Sequence, residues 1–142
     1  MSFKNWDPDQ VSMIFRGIPF LMFMDSTFIS AERAEDGFSM SVGAKGDTTR
    51  VRSRNKSGSV TATLQAASPS NDLLSATYQQ DELFGFGYGP LMVKHFNGNT
   101  LISSPYAWIR KLPTVEFADE NSGREWVLDC NNLFMFVGGS IF

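Results

Sequence analysis

The segment from Gly46 to Gln65 has the sequence GDTTRVRSRNKSGSVTATLQ and changes character near its middle. The first half, counted with the residue just before it, is basic at five positions: Lys45, Arg50, Arg52, Arg54 and Lys56. The second half, from Ser59 to Gln65, alternates hydroxylated with apolar residues. Strict alternation is typical of a β-strand with one buried and one wet face. A turn at Ser57-Gly58 separates the two halves, so the segment predicts two strands.

The residues before this segment predict two more strands. Three apolar residues alternate with two serines from Phe38 to Val42, which favours a strand whose apolar face is buried. The dipeptide Asp36-Gly37 lies between this run and the strand-like residues 27–35. Because Asp-Gly suits the positive φ angles of a type I′ turn, it predicts a hairpin at this point.

The rest of the chain adds one helix and several strands. Helical spacing of apolar residues predicts a helix over about 70–84, with Asn71 as its N-cap and the glycines after Phe84 as its end. Asn97-Gly98 lies between two apolar runs and predicts a second hairpin. Eight to ten strands and one helix define a mainly β fold, an antiparallel sandwich or a partly open barrel, and 142 residues suit one domain over 1–142.

Composition excludes several kinds of chemistry. One cysteine, Cys130, cannot form an intramolecular disulfide, and with one histidine, His95, it cannot complete a structural zinc site without several carboxylates. Neither residue lies in a nucleophile motif, and we expect His95 to face solvent next to a turn. We therefore expect no catalytic residue, cofactor or metal. The longest apolar run, Ile18 to Met24, is too short to span a bilayer.

The basic half of the opening segment has two interpretations. Arg50, Arg52 and Arg54 alternate with Thr49, Val51 and Ser53, and like charges on one strand face repel unless they meet water or an acidic partner. One partner is phosphate, which would make the chain a monomeric OB-like module that binds nucleic acid through the five basic residues. The other partner is a second copy, since acidic residues recur along the chain at Glu32, Glu35, Asp36, Asp81, Glu82, Asp119 and Glu120.

Charge and composition favour contact between copies. The net charge is −3, whereas a dedicated nucleic-acid binder is usually basic. No aromatic residue lies between Lys45 and Gln65, so the segment lacks the platforms on which single-stranded bases stack. Hairpins with small, polar outer faces are in addition templates for strand addition between chains.

The order of these features resembles that of the small tail tube proteins of contractile-tailed bacteriophages. The resemblance runs over roughly residues 10 to 137. It rests on an early strand pair ending near Phe23 and on four blocks of sequence: AERAEDGFSMSVGAKGDTTRVRS, NKSGSVTATLQAASPSNDLLSA, GPLMVKHFNGNTLISSPYAWIRKLPTVEF and REWVLDCNNLFMFVGG. Within the third block, Ala107-Trp108-Ile109, Pro113 and Phe117 are typical of the family in placement.

The resemblance implies a structural virion protein and no enzyme. Such proteins form rings of six, and the rings stack into the inner tail tube through which the genome is ejected. Each copy contributes long hairpins to a β-barrel shared between subunits. The implied partners are other copies, the sheath, the tape-measure protein, the baseplate and the tail terminator, with DNA as non-specific cargo. The implied location is the virion tail, after assembly in the host cytoplasm.

The resemblance also implies roles for individual positions. The segment 43–56 matches the part that reaches a neighbouring subunit or the next ring, while 35–41 and 61–65 match segments of the sheet around the lumen. The candidate contacts between subunits or rings are Lys45, Asp47, Arg50, Arg52, Arg54, Lys56, Glu32, Glu35 and Asp36. The candidate lumen-sheet residues are Ser39, Ser41, Ser59, Thr61 and Thr63.

Overall fold

A computed structural model describes residues 8–25, 27–96, 98–118 and 122–139. These residues form ten strands and one α-helix, after a short 3-10 turn at Pro8–Gln10. The strands are β1 Val11–Phe15, β2 Ile18–Pro19, β3 Ile29–Arg33, β4 Phe38–Val42, β5 Thr48–Arg52, β6 Gly58–Gln65, β7 Gly89–His95, β8 Leu101–Lys111, β9 Gly123–Cys130 and β10 Phe134–Phe136; the helix is α1 Ser70–Phe84. The prediction of a mainly β fold with one helix at about 70–84 is confirmed.

Eight of the strands form one antiparallel sheet. Its order is β2-β1-β7-β8-β9-β6-β3, and β10 pairs with β8 beside this path. Strands β7 and β8 form the predicted hairpin; Asn97, which the prediction placed in its turn, lies outside the described residues. Among the described strands β2 and β3 are the two edges and do not pair with each other, so the sheet is an open sandwich rather than a closed barrel.

The sheet curls around a single core. Met13 and Phe15, near one edge of the strand order, pack in the same cluster as Val60 and Leu64, near the other edge. Each strand contributes alternate residues, as in β6, where every second side chain is buried. Period-2 burial is what a sheet with one wet face requires.

Helix α1 closes one side of the core through Leu74, which is fully buried. The residue before the helix is Pro69, which makes no side-chain capping bond, so the prediction of Asn71 as N-cap is wrong. Asn71 instead accepts a hydrogen bond from the indole of the buried Trp126 at 2.9 Å and donates to the Gln65 carbonyl. This side chain therefore ties the first turn of the helix to the sheet.

The helix ends where the glycines predict. Gly85 adopts the left-handed conformation with φ 75° and donates its N–H to the Asp81 carbonyl at 2.9 Å. Glycine reaches this conformation without the cost that a Cβ imposes. The outer side of the helix keeps Leu73, Leu83 and Phe84 exposed.

The segment 29–65 forms one long interrupted hairpin, which we call the long hairpin. Its base is the pair β3–β6 and its distal half is the pair β4–β5. Asp36-Gly37 does not turn the chain back, because β4 does not pair with β3; the turn lies at residues 43–47, where the Gly43 N–H donates to the Asp47 carbonyl at 2.7 Å. The prediction of a hairpin at Asp36-Gly37 is therefore wrong.

The two arms of the long hairpin differ in length by one residue. The last pair of the base is Arg33 with Gly58 and the first pair of the distal half is Phe38 with Arg52. Four residues, 34–37, connect these pairs on the first arm and five, 53–57, on the second. One extra residue on one arm is the count that defines a β-bulge. Hydrogen bonds from Ala34 to Ser57 and from Ser53 to Gly37 keep the arms together across it.

Candidate assembly interface

The distal half of the long hairpin is exposed on both of its faces. All ten residues of β4 and β5 are exposed, and no other described strand joins this two-stranded sheet. Phe38, Met40 and Val42 are 53%, 72% and 59% exposed. The prediction that their face is buried is therefore wrong for the isolated subunit, since no second layer of the same chain covers it.

The pairing register gives the two distal faces different chemistry. Phe38 lies opposite Arg52 and Met40 opposite Arg50, so apolar and cationic side chains share one face. The Arg50 guanidinium lies 4.3 Å from the centre of the Phe38 ring, within the range of a cation–π contact. We call this the apolar-cationic face. The other face carries Ser39, Ser41, Thr49 and Val51.

The predicted contact residues are all exposed but are not paired with one another. This holds for the basic Lys45, Arg50, Arg52, Arg54 and Lys56 and for the acidic Glu32, Glu35, Asp36 and Asp47. The ion pair found between described side chains is Arg110 with Asp129, at 2.6 Å. Glu35 accepts a hydrogen bond from Ser53 at 3.2 Å. The charges of the distal half are thus left facing outward.

The predicted lumen residues fall into two separate groups. Ser59, Thr61 and Thr63 lie on the partly exposed side of β6, between Glu32 on β3 and the carboxylates Glu125 and Asp129 on β9. This row of hydroxyls flanked by acids we call the hydroxyl-acid face. Ser39 and Ser41 instead lie on the distal half. The structure does not place the two groups in one strand.

His95 and Cys130 do not form a catalytic pair. Cys130 lies in a row with Ala107 and Gly89 across the sheet, whereas His95 is at the opposite end of the strand that begins with Gly89. At ~3.3 Å per residue, six residues of strand separate the two ends by about 20 Å. Both side chains are buried, so the prediction that His95 faces solvent is wrong.

The environment of Cys130 further opposes nucleophilic chemistry. Burial raises the pKa of its thiol to about 11, and the neighbouring carboxylate of Asp129 acts in the same direction, while a hydrogen bond with Ser104 acts against it. The thiol is therefore protonated at neutral pH, and the thiolate is the reactive form. Across the described ranges, no three His, Cys, Asp or Glu residues come together as a metal site. None of the described helices has the length and apolarity needed to cross a membrane.

A second exposed surface surrounds the end of α1, and the sequence reasoning missed it. Three large apolar side chains are exposed there: Leu83 at 73%, Phe84 at 68% and Phe86 at 62%. Asp81 and Glu82 immediately precede them. A groove of about 460 Å³ continues from Asp81 onto the sheet and is lined by Asp81, Tyr88, Tyr106, Trp108 and Asn131. We call these residues together the helix-end surface.

Only part of the helix-end surface had a signal in the sequence. Leu73 and Leu83 are part of the helical spacing of apolar residues, but the helix packs through Leu74, Thr77 and Ser70. Two adjacent leucines, Leu73 and Leu74, cannot both face the core of a helix lying on a sheet. The sequence shows that the two leucines compete for burial, but which of them is buried depends on the position of the sheet.

Comparison with known proteins defines the class to which this arrangement belongs. The family model of the bacteriophage PhiTE tail tube protein matches residues 24–138. The chain therefore belongs to this family of phage tail tube proteins, which is a family of structural proteins and not of enzymes.

Individual relatives agree with this family. The chain is 29% identical over 145 residues to the structural protein ORF10 of Pseudomonas phage KPP10, covering 96% of this chain and 84% of that protein. Its fold is similar to that of the sheath/tube terminator of an extracellular contractile injection system, with a TM-score of 0.68, 10% identity, and coverage of 96% of this chain and 100% of the other. A chain of the sheath-tube complex of such a system gives a TM-score of 0.63, 11% identity, and coverage of 92% and 90%.

Proposed function

We propose that this protein is the subunit of a hollow tail tube, in which six copies form a ring and the rings stack into a channel for genome ejection. The observation that carries the proposal is the distal half of the long hairpin, which exposes an apolar-cationic face that no other described strand covers. Family membership supplies the context, because the chain is a phage tail tube protein over residues 24–138.

The distal half has the properties of a strand pair that is completed by other copies. An isolated two-stranded hairpin is at best marginally stable in water. Its side chains at Phe38, Met40 and Val42 are more than half exposed, and an exposed apolar patch on a subunit marks a surface that binds a partner. When identical copies pair edge to edge around an axis, their free edges disappear and a barrel closes.

The hydroxyl-acid face suits the wall of a channel for DNA. Its side chains are short hydroxyls at Ser59, Thr61 and Thr63, flanked by the carboxylates of Glu32 and Glu125. Carboxylates repel phosphates and small hydroxyls offer no aromatic platform for bases. In this proposal DNA passes as cargo without being retained, and Ser39 and Ser41 extend the wall from the distal half.

The same proposal includes the other parts of a tail. The tube would contact a sheath on its outside, a tape-measure protein in its lumen before ejection, and a baseplate and terminator at its two ends. The fold it shares with chains of a sheath-tube complex and of a sheath/tube terminator supports such surroundings. The proposed location is the virion tail, following assembly in the host cytoplasm.

Negative-stain electron microscopy of the concentrated protein tests this function. We expect uniform tubes with a hollow centre, and light scattering should show a mass that rises with protein concentration. A monomer that persists across concentration and salt would contradict the proposal. If that monomer also retained single-stranded DNA with an affinity that falls steeply as salt is added, it would support the OB-like alternative.

A further inference from the structure

We infer that the helix-end surface of one copy is the docking site for the apolar-cationic face of another copy. The inference rests on the proposed function, in which the distal half of the long hairpin reaches a neighbouring copy. The two surfaces match in charge and in their exposed apolar side chains.

Charge complementarity is the first argument. Asp81 and Glu82 lie in the last turn of α1, which contains no basic residue. The C-terminal end of a helix already carries partial negative charge, so carboxylates there are unfavourable and a cation is favourable. Hydrogen bonding to Glu82 raises the pKa of Tyr78, with burial and the negative charge of Glu82 and Asp81 acting in the same direction. Within the described part of the chain, neither carboxylate forms an ion pair, so this site is negative.

The matching positive site lies on the distal hairpin. Arg50 and Arg52 share one face with Phe38 and Met40, and all four are exposed. The apolar components match as well, because Leu83, Phe84 and Phe86 next to the two carboxylates are each more than 60% exposed. Both surfaces therefore combine large apolar side chains with charge, and the charges are of opposite sign.

The groove beside the helix end fits a guanidinium. Tyr88 and Tyr106 stack edge to face with their ring centres 5.9 Å apart, and Trp108 and Asp81 complete the lining. Aromatic faces next to a carboxylate bind arginine by combined cation–π and ionic attraction. Asp81 is held in place because its carboxylate accepts a hydrogen bond from the Gly87 N–H at 3.1 Å.

The same chain cannot fill this groove with those arginines. Trp108 also lines a second cavity, of about 310 Å³, which includes Ser57, Gly58 and Ser59 at the base of the long hairpin. Arg50 and Arg52 are eight and six residues from Gly58 along an extended arm. At ~3.3 Å per residue this places them about 20–26 Å from the base. If Arg50 and Arg52 fill this groove, they therefore come from a second copy.

Cysteine cross-linking in assembled tubes tests the assignment. Met40→Cys places a thiol on the apolar-cationic face and Leu83→Cys places one on the helix-end surface; the native Cys130 is buried. Tubes grown from an equal mixture of the two variants should give disulfide-linked dimers on mild oxidation. Each variant alone, and the wild type, should give little. If Met40→Cys prevents assembly, Val42→Cys on the same face replaces it.

A matched control and a protection measurement decide the result. Met92→Cys, on β7, places a thiol at a residue that is 49% exposed, and its mixture with Met40→Cys should cross-link much less. Leu83→Cys should react with maleimide in the free subunit and lose most of that reactivity in tubes. Equal cross-linking of both mixtures, or full reactivity of Leu83→Cys in intact tubes, overturns the assigned surface while tube formation stands. Failure of the wild type to assemble would overturn the proposed function itself.

Discussion

The base and the distal half of the long hairpin have the same alternating pattern of residues but different surroundings. In β6 of the base, Val60, Ala62 and Leu64 are fully buried. In β4 of the distal half, Phe38, Met40 and Val42 alternate in the same way and are all more than half exposed. Alternation therefore shows that a strand has two unlike faces, but it does not show whether the apolar face is covered by the same chain or by another.

We expect the base to determine the stability of the subunit and the distal half to determine its assembly. Side chains of the base contribute to folding of the subunit, since burial of apolar area is the main favourable term. Side chains of the distal half contribute little to the subunit and are available to a neighbour. Substitutions in the two halves should therefore affect different measurements.

The largest effect on stability is expected from truncating a buried side chain of the base. Leu64→Ala should lower the free energy of unfolding by about 2–5 kcal/mol, because it leaves a cavity in the core. Met40→Ala, on the distal half, should change it by no more than about 0.5 kcal/mol. Urea denaturation of the unassembled subunit measures both. Similar losses for the two variants would show that the distal half is part of the folding core.

A smaller loss of stability is expected from adding a methyl group at Gly58. A Cβ at Gly58 would lie 2.5 Å from the Glu32 carbonyl oxygen and 2.7 Å from a methyl group of Leu133. Gly58→Ala should therefore destabilise the subunit by about 1–3 kcal/mol, as overpacking does. The control Gly37→Ala has no atom within 4 Å of the added Cβ and should be close to neutral. Thermal unfolding of both variants tests the contrast, and a tolerated Gly58→Ala would argue against this register.

Thiol reactivity can compare a buried side chain of the main sheet with an exposed side chain of the distal half. The pKa of Cys130 is raised to about 11 from its ordinary value of 9.0, so at pH 8 iodoacetamide should modify it slowly in the folded subunit and quickly in denaturant. A second cysteine introduced by Val51→Cys, on the exposed distal half, should react quickly in both. Mass spectrometry of the modified peptides distinguishes the two sites. Rapid modification of native Cys130 would mean that the sheet opens readily at the end of β9, next to Gly58 of the base.

The same raised pKa has a consequence for stability in alkali. The folded state holds the thiol proton more tightly than the unfolded state. The stability that the subunit gains from this difference is complete below about pH 9. It is lost as pH rises through about 11. Wild type should therefore lose more stability across this interval than Cys130→Ala, as urea midpoints at each pH would show.

The smallest effect on the subunit, and a large one on assembly, is expected from reversing the distal charges. Arg50, Arg52 and Arg54 are exposed, and each reversal to Glu should change stability by no more than about 0.5 kcal/mol. The triple variant should nevertheless form no tubes, because like charges facing each other across an interface are strongly unfavourable. Circular dichroism checks the fold and electron microscopy the assembly. Normal tubes from this variant would remove the arginines from the interface.

Local sequence signals predicted most elements of the fold. The helix end at Gly85, the β7–β8 hairpin and the alternation of β6 follow from local chemistry, namely left-handed glycine, turn residues and period-2 burial. The long hairpin was not predicted, because Asp36-Gly37 is a favourable turn sequence that the chain does not use as one. Pairing of β3 with β6 joins residues about 30 positions apart, and no local signal specifies a partner at that distance.

The sequence names candidate residues for the interface, and they stay a prediction, but it does not show how these residues are arranged. The basic cluster and the small hydroxyl residues are visible in the sequence, and the resemblance to tail tube proteins assigned them to contacts and to the lumen. The mixture of arginines with Phe38 and Met40 on one face depends on cross-strand register. The side of the helix that stays exposed depends on which of Leu73 and Leu74 packs against the sheet.

The bulge between the base and the distal half determines the chemistry of the whole tip. If the pairing of the base continued outward with no bulge, Met40 would lie opposite Val51 and Arg50 opposite Ser41. The composition of the tip would be unchanged, yet one face would lose its arginines and the other would combine those arginines with serines. The bulge therefore acts as a determinant of surface character, because it exchanges the cross-strand neighbours of a whole strand.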